Sequence, residues 1–485
     1  MSPSMDEPAP IAVDPGVIKG ERPTPASPSI LAERPRRVPP EERSVAGRAL
    51  RDRAPYAEQA RWKRSQRKVD PIQLLRASDE GRVPELVPIR YGRMLASPFA
   101  FYRGSAALMA ADLAATPASG LRVQACGDCH LMNFGGFATP ERNVLFDIND
   151  FDETLPAPWE WDVKRLVASF VLAARSLGLS DGKARDAAVA CAYSYHKRMR
   201  LFAEQHPLEV WYSAITVEEV LALAPRAAAA RLRRRLKKTL KHQGSDLDFP
   251  RLTSMVSGKL GIRDVPPLIF HPAGAQSPDF RPRVERVLAS YRETLPEDRR
   301  ALLDHYELVD AAMKVVGVGS VGRRCWIVLV MSETNQPLFL QFKEAVASVL
   351  EPAAGPSLYP HHGQRVVMGQ RLMQPASDLL LGWVTGDGGV QFYVRQLRDA
   401  KIKPLVETFD YETLYYYARM CGWVLARAHA KTGDRTAIAA YLGRRHAFDE
   451  AMGDFAIAYA DQAERDHAAL AAAVRRGEIV AYTEV

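Results

Sequence analysis

Residues 315–344, VVGVGSVGRRCWIVLVMSETNQPLFLQFKE, constrain the fold of this 485-residue chain more than any other stretch. Gly317, Gly319 and Gly322 form G-x-G-x-x-G, a pattern shared with dinucleotide-binding folds and weak alone. In those folds the glycines open a helix, but here the β-branched, apolar run CWIVLVM follows, then a turn, then another strand-like run. The segment therefore reads as strand, glycine turn, strand, turn, strand, with Lys343 late in the third strand. Backbone amides freed of side chains can close over phosphate oxygens while an ammonium neutralises charge. For the glycines alone, a plain β-turn with a surface lysine is the commoner outcome, so the choice rests on motifs elsewhere. Ser320 is not a hydrolase nucleophile, because G-x-S-x-G fails at Val318.

The second motif is Gly127-Asp128-Cys129-His130-Leu131-Met132-Asn133, with Asp147, Asp150 and Asp152 following. A kinase-type catalytic loop needs one Asp to accept the proton of an attacking hydroxyl and, five positions later, an Asn to hold a metal ion. A following strand then supplies a carboxylate to the metal that bridges the phosphates. Cys126 to His130 also match the C-x-x-C-H haem-attachment pattern, but the N-terminus MSPSMDEPAPIAVDPGV lacks the basic start and apolar core of an export signal. A zinc pair would need a second pair of ligands, and Cys191, Cys325 and Cys421 are scattered.

The surrounding pattern fits a loop followed by a hairpin carrying the acids. LRVQACGDCH is a short β-like run, and NFGGFAT and NVLFDIND are strand candidates separated by PERN. Upstream, Arg90, Arg93 and Arg103 lie among aromatics and suggest anion clamps; pairing with nearby acids or helix ends is the alternative. Residues 160–305 read as helical, with Val163, Leu166, Val167, Phe170 and Val171 at helical spacing and further helices at 182–205, 216–242 and 281–305. RVVMGQRLMQPASD is a helix candidate, LLLGWVT and VQFYVRQLRDA are strand candidates, and DYETLYYYARMCGWVLARAHAKTGD is a long amphipathic helix. Gln396 to Asp399 would form a hinge contacting an adenine ring. No helix glutamate suits Lys343: Glu344 and Glu351 are too near in sequence, and the helix candidate carries Gln370 and Gln374 instead.

Composition adds limits. With 47% hydrophobic and 25% charged residues, five cysteines and no apolar run long enough to span a bilayer, the expected class is soluble and cytoplasmic. The net charge of +8 and a pI near 9.2 suit anionic ligands. Residues 1–65, rich in Pro and Arg, read as a disordered tail. The run Arg231 to Lys238 reads as a solvated helix face; no interleaved aromatics support nucleic-acid stacking.

The segments LVPIRYGRM, FAFYRGSA, GDCHLMNFG, FDINDFDE, WDVKRLVASF, VGVGSVG, LQFKEA, RVVMGQRLMQ, YVRQLRDAK and LARAHAKTGD resemble the bacterial family catalogued as domain of unknown function 2252, over about residues 65–475. That family is in turn distantly similar to kinase-like phosphotransferases of the aminoglycoside and choline kinase type. The resemblance implies an α+β, protein-kinase-like two-lobed fold with a mostly helical large lobe and a small antiparallel-sheet lobe. Its order is circularly permuted, since the catalytic loop near Asp128 precedes the glycine loop near Gly319. His429 to Asp434 fails as a catalytic loop in the usual order, because Ala439 stands where Asn is needed. The expected division is 66–310 for the helical lobe, 311–400 for the small lobe and 401–485 for helices completing the large lobe.

Carried over residue by residue, Asp128 would be the base, with His130 beside it ordering the loop, and Asn133 a metal ligand. Strand spacing favours Asp147 as the second metal ligand, whereas similarity of NDFDE to small-molecule kinases favours Asp150. Gly317, Gly319, Gly322, Lys343 and Gln396 would hold ATP, and Asp162 would hydrogen-bond the catalytic loop. The expected cofactors are ATP and Mg²⁺, and the expected partner is a hydroxyl acceptor. The other readings are a nucleotide-binding pseudokinase or scaffold, and nucleotidyl transfer; neither a membrane nor a nucleic acid is an expected partner.

Overall fold

The structure is a computed structural model in which residues 38–67, 69–240, 249–256, 259–397 and 401–483 are described. It mixes helices with antiparallel sheets. In chain order, β1 (Arg122–Ala125) pairs with β4 (Leu155–Pro158), and β2 (Phe134–Ala138) pairs with β3 (Val144–Ile148), on which the short β5 (Ile215–Thr216) is laid. The hairpin β6 (Thr253–Val256) and β7 (Lys259–Ile262) leads to a six-stranded sheet. Its strands are β8 (Ile269–Phe270), β9 (Tyr306–Lys314), β10 (Cys325–Ser332), β11 (Pro337–Glu344), β12 (Gly382–Thr385) and β13 (Gln391–Gln396), in the order β12-β13-β11-β10-β9-β8.

Helix Trp159–Ser176 is the centre of the helical part, and every residue from Trp159 to Ala174 is buried. A helix with apolar residues on all sides must be packed on all sides; its neighbours are helices Asp181–Glu204, Tyr411–Thr432 and Ala447–Arg475. Trp159 stacks on Tyr195, ring centroids 5.6 Å apart.

The sheet's two faces follow its period-two alternation. Leu338, Leu340 and Phe342 of β11 pack with Tyr291 and Leu295 beside helix Phe280–Arg292. The intervening Phe339, Gln341 and Lys343 face the other way, and Lys343 stands between Cys325 and Tyr393 in the ladder. Helix His362–Met373, between β11 and β12, packs on β12, β13 and helix Tyr411–Thr432, and so joins the sheet to the helical part.

Several boundaries differ from the sequence reading. The stretch 281–305 is two helices, Phe280–Arg292 and Glu297–Leu303, split before Pro296, and β9 begins at Tyr306. The six-stranded sheet therefore starts at Ile269, well before the expected boundary at 311. The stretch 216–242 divides at Pro225 into Val217–Leu223 and Arg226–Leu240. The expected tail is helical over Pro40–Arg53: Arg51 donates to the carbonyl of Tyr441 (2.8 Å), and Gly47 lies so close to Ala437 that a Cβ would stand 2.3 Å from its carbonyl oxygen. The remainder of that tail call, residues 1–37, and positions 398–399 of the expected hinge lie outside the described residues.

Candidate functional site

The loop that carries Asp128 is held from beneath by Asp162 of helix Trp159–Ser176. Its carboxylate accepts the amides of Cys126 (2.6 Å) and Gly127 (2.9 Å), and lies 3.1 Å from Nε2 of His429, whose Nδ1 meets the Tyr195 hydroxyl at 3.0 Å. Gly127 has φ +85°, and a Cβ there would meet the Glu153 carbonyl at 2.3 Å, so only glycine fits. The loop thus turns sharply and presents Asp128.

Arg165 of the same helix donates through Nε to Asp128 Oδ1 at 2.6 Å, and its guanidinium lies 4.4 Å from the centre of the Tyr102 ring. His130 Nε2 is 3.7 Å from Asp128 Oδ2, beyond hydrogen-bond length, and its buried Nδ1 has no partner among the described residues. Burial, with the charges of Arg103 and Arg165, lowers its pKa to about 3 against the opposing pull of Asp128, so His130 is a neutral imidazole. Asn133 donates through Nδ2 to the Asp128 carbonyl (2.7 Å), and its own carbonyl accepts the Asn149 amide (2.8 Å), which ties loop to hairpin.

Just past β3, the chain leaves the hairpin with Asp150 and Asp152 facing Lys343. Lys343 forms an ion pair with Asp152 and has Asp150 Oδ1 at 3.8 Å. Asp152 also accepts the hydroxyls of Tyr393 (2.8 Å) and Ser320 (3.1 Å). Burial alone would raise the Asp150 pKa, but Lys343 and Arg395 outweigh it and hold the group below the usual carboxylate range. Burial pushes Lys343 down, and Asp150 and Asp152 more than reverse that. The partner of Lys343 is therefore a carboxylate of the hairpin exit, not of a helix. Helix His362–Met373 acts on this turn through Arg365, which donates to the carbonyls of Asp152 (2.8 Å) and Thr154 (2.7 Å).

Asp128, His130, Asn133, Asp150, Gly317, Gly319, Lys343, Arg90, Arg93 and Arg103 border one cavity of about 730 Å³. Six arginines and four lysines surround it, against the carboxylates Asp128, Asp150, Asp152 and Glu153. A second cavity, apolar and about 130 Å³, lies behind β2 and β3 and contains none of these candidates.

The glycine segment is fastened from outside the sheet. Arg93 donates to the Val316 carbonyl (2.6 Å), Arg82 to those of Gly319 (3.0 Å) and Val321, and the Val83 amide to that of Gly322 (2.8 Å).

Three sequence candidates stand elsewhere. Asp147 is buried in β3 and paired with Arg427 at 2.6 Å, away from the cavity. Gln396 gives its amide and side chain to Asp378 (3.0 and 3.2 Å) and does not border the cavity. Gly322, at φ +86°, turns the chain and packs against Arg82 without bordering it. Arg90 borders the cavity but is committed to Asp79, Ser78 and the Gly104 carbonyl. Asp152 and Arg165 were missed as site residues, although FDINDFDE and WDVKRL placed both beside motif positions. Of the basic run, Arg233 and Arg234 are exposed, whereas Arg235 borders the cavity.

Among the described residues, no group of three or more His, Cys, Asp or Glu side chains is arranged to hold a metal. A Mg²⁺ ion that takes its other ligands from phosphate and water needs only one or two protein oxygens. Asn133 and Asp150 fit that donor set: both are at the cavity, and the Asn133 amide nitrogen is already engaged by Asp128, which leaves its oxygen as a ligand.

The family described as an uncharacterised protein conserved in bacteria, DUF2252, matches residues 82–473. No curated protein and no solved structure matches the chain.

Proposed function

The chain belongs to the bacterial family DUF2252, and from that premise we propose that it is an ATP- and Mg²⁺-dependent phosphotransferase acting on a hydroxyl, with a kinase-like two-lobed fold in circularly permuted order. One observation carries the reading. Lys343, on the strand beyond the glycine turn, meets the carboxylates Asp150 and Asp152 in the cavity that also holds Asp128 and Asn133. The element order supports it: strand, glycine turn, strand, strand with Lys343, helix His362–Met373, then two strands.

In this reading Lys343 exchanges Asp152 for nucleotide phosphate. Asn133 and Asp150 would hold Mg²⁺, which neutralises phosphate charge when bound. Asp128, fixed by Arg165, orients the acceptor hydroxyl and takes its proton as the oxygen bonds to the γ-phosphorus. The bond from that phosphorus to the bridging oxygen breaks, and its electron pair leaves with ADP. Neutral His130 contributes no positive charge to phosphate binding, which falls to Lys343.

Titration of ATP calorimetrically, with and without Mg²⁺, tests the proposal on the wild type, Lys343→Ala and Asp150→Asn. Metal-dependent binding weakened at least about tenfold, or ~1.4 kcal/mol, in either variant is expected. No binding by the wild type at millimolar ATP overturns it. The pairing of Asp128 with Arg165 also favours a second reading, nucleotide binding without transfer. Acceptor labelling separates these: label from the γ position means phosphoryl transfer, label from the α position nucleotidyl transfer, and no label a sensor or scaffold.

A further inference from the structure

Aminoglycosides and choline are cations, and a site for them needs carboxylates with charge to spare. Here every cavity carboxylate is already answered. Asp128 is paired with Arg165, Asp152 with Lys343, and Asp150 faces Lys343 and Arg395. Glu153 accepts the Val349 amide at 2.8 Å and lies beside Arg365. The unanswered charge is positive. Arg103 has no hydrogen bond or ion pair among the described residues, and its Nε is buried without a partner. It borders the same cavity as Asp128 and His130, and its charge acts on both. Arg93, close by in sequence and bordering the same cavity, spends one nitrogen on the Val316 carbonyl. Arg103 is half-buried with its Nε enclosed, which makes a missing anion costly, and guanidinium is the group best matched to carboxylate and phosphate oxygens.

We propose that the acceptor is itself an anion: a small hydroxyl compound bearing a phosphate or carboxylate that Arg103 and Arg93 bind beside Asp128. The anion subsite stands on the cations alone; only the role of the hydroxyl rests on the phosphotransferase reading. An anionic acceptor would place its charge on Arg103 and Arg93 and its hydroxyl toward Asp128. Lys343 and Arg395 remain for the nucleotide.

The test uses the full chain with a saturating non-hydrolysable ATP analogue and Mg²⁺, and titrates inorganic phosphate, glycerate and choline. Phosphate and glycerate should bind and choline should not. Arg103→Gln should weaken both anions at least about tenfold while the affinity for the analogue changes less than about twofold. Arg93→Gln, at a half-buried position, should weaken them in the same direction, and serves if the Arg103 variant fails to fold. Anion binding indifferent to both arginines, no anion binding, or preferential binding of choline overturns the proposal. If the analogue does not bind but phosphate still depends on Arg103, the nucleotide reading falls and the anion subsite stands. If the analogue binds and phosphate does not, the reverse holds.

Discussion

Replacing Asp147 and Asp150 separately by Asn should dissociate stability from nucleotide binding. Asp147 and Arg427 form an ion pair of 2.6 Å with side chains only 1% and 2% exposed, and Nη1 of Arg427 already lacks a partner among the described residues. Asp147→Asn keeps the shape but leaves the guanidinium buried without its counter-charge, a change that costs about 3–5 kcal/mol. For the roughly 430 described residues the unfolding entropy is about 0.9 kcal/mol/K, so Tm should fall by about 3–5 °C. ATP affinity should stay within about twofold, because Asp147 does not border the cavity. Asp150, with a side chain 37% exposed, should behave in the opposite way: Asp150→Asn changes Tm by no more than about 1 °C and removes most of the Mg²⁺-dependent part of ATP binding. Differential scanning calorimetry beside titration calorimetry reads both quantities on the same samples. If Asp147→Asn abolishes metal-dependent binding at unchanged Tm, the assignment of Asp147 to the core and Asp150 to the site is refuted.

Gly127→Ala should cost at least ~2 kcal/mol, because φ +85° is strained for alanine and its Cβ would meet the Glu153 carbonyl; an unchanged urea midpoint would count against the tight turn. His271 bridges Asp264 (2.8 Å) and Asp310 (3.2 Å), and hydrogen bonding to Asp310 outweighs burial to raise its pKa from 6.5 to about 9. The folded state therefore holds this proton more tightly than the unfolded chain. Its stabilisation is complete below pH 6.5 and is lost as the pH rises through 9. After screening, that loss is of order 1 kcal/mol, and His271→Ala should flatten it in urea melts from pH 6.5 to 9. Arg165→Met should leave ATP binding unchanged and lower kcat about a hundredfold by freeing Asp128 to turn; equal losses in kcat and in nucleotide affinity would contradict a purely orienting role.

What was legible in the sequence was local. The β-branched and apolar runs after the glycines gave β10 and β11 and the placement of Lys343, and the helical spacing from Val163 gave the central helix. The Asp–Asn spacing drew attention to the loop that Gly127 opens, although the need for glycine there shows only in the structure. Long-range charge pairing was not legible: Asp152 and Lys343 are separated by 191 positions, and nothing local tells which carboxylate a lysine will meet. Asp147 and Asp150 were ambiguous because strand alternation puts positions three apart on opposite faces without saying which face is the cavity. YELVDAAMK received no strand reading, since Ala, Met and Lys favour helices, whereas pairing with β10 makes it β9. Helix Pro40–Arg53 was missed because arginine contacts to carbonyls and a glycine close approach anchor it, in place of an apolar stripe.

The fastening of the glycine segment by Arg82, Val83 and Arg93 has a kinetic side. Four hydrogen bonds hold carbonyls of Val316, Gly319, Val321 and Gly322, and at ~1 kcal/mol each they oppose lifting of the turn by about 4 kcal/mol. A ligand that enters only under a lifted turn meets a competent state populated at about one part in a thousand, so an ordinary association rate of ~10⁶ M⁻¹s⁻¹ becomes ~10³ M⁻¹s⁻¹. Departure is slowed by the same latch, and whatever enters the cavity is held there long after its free concentration has fallen. Residence time, set by Arg82 in a bend and Arg93 in helix Val87–Leu95, both outside the sheet, would then be adjustable without altering any group that touches the ligand's reacting atoms.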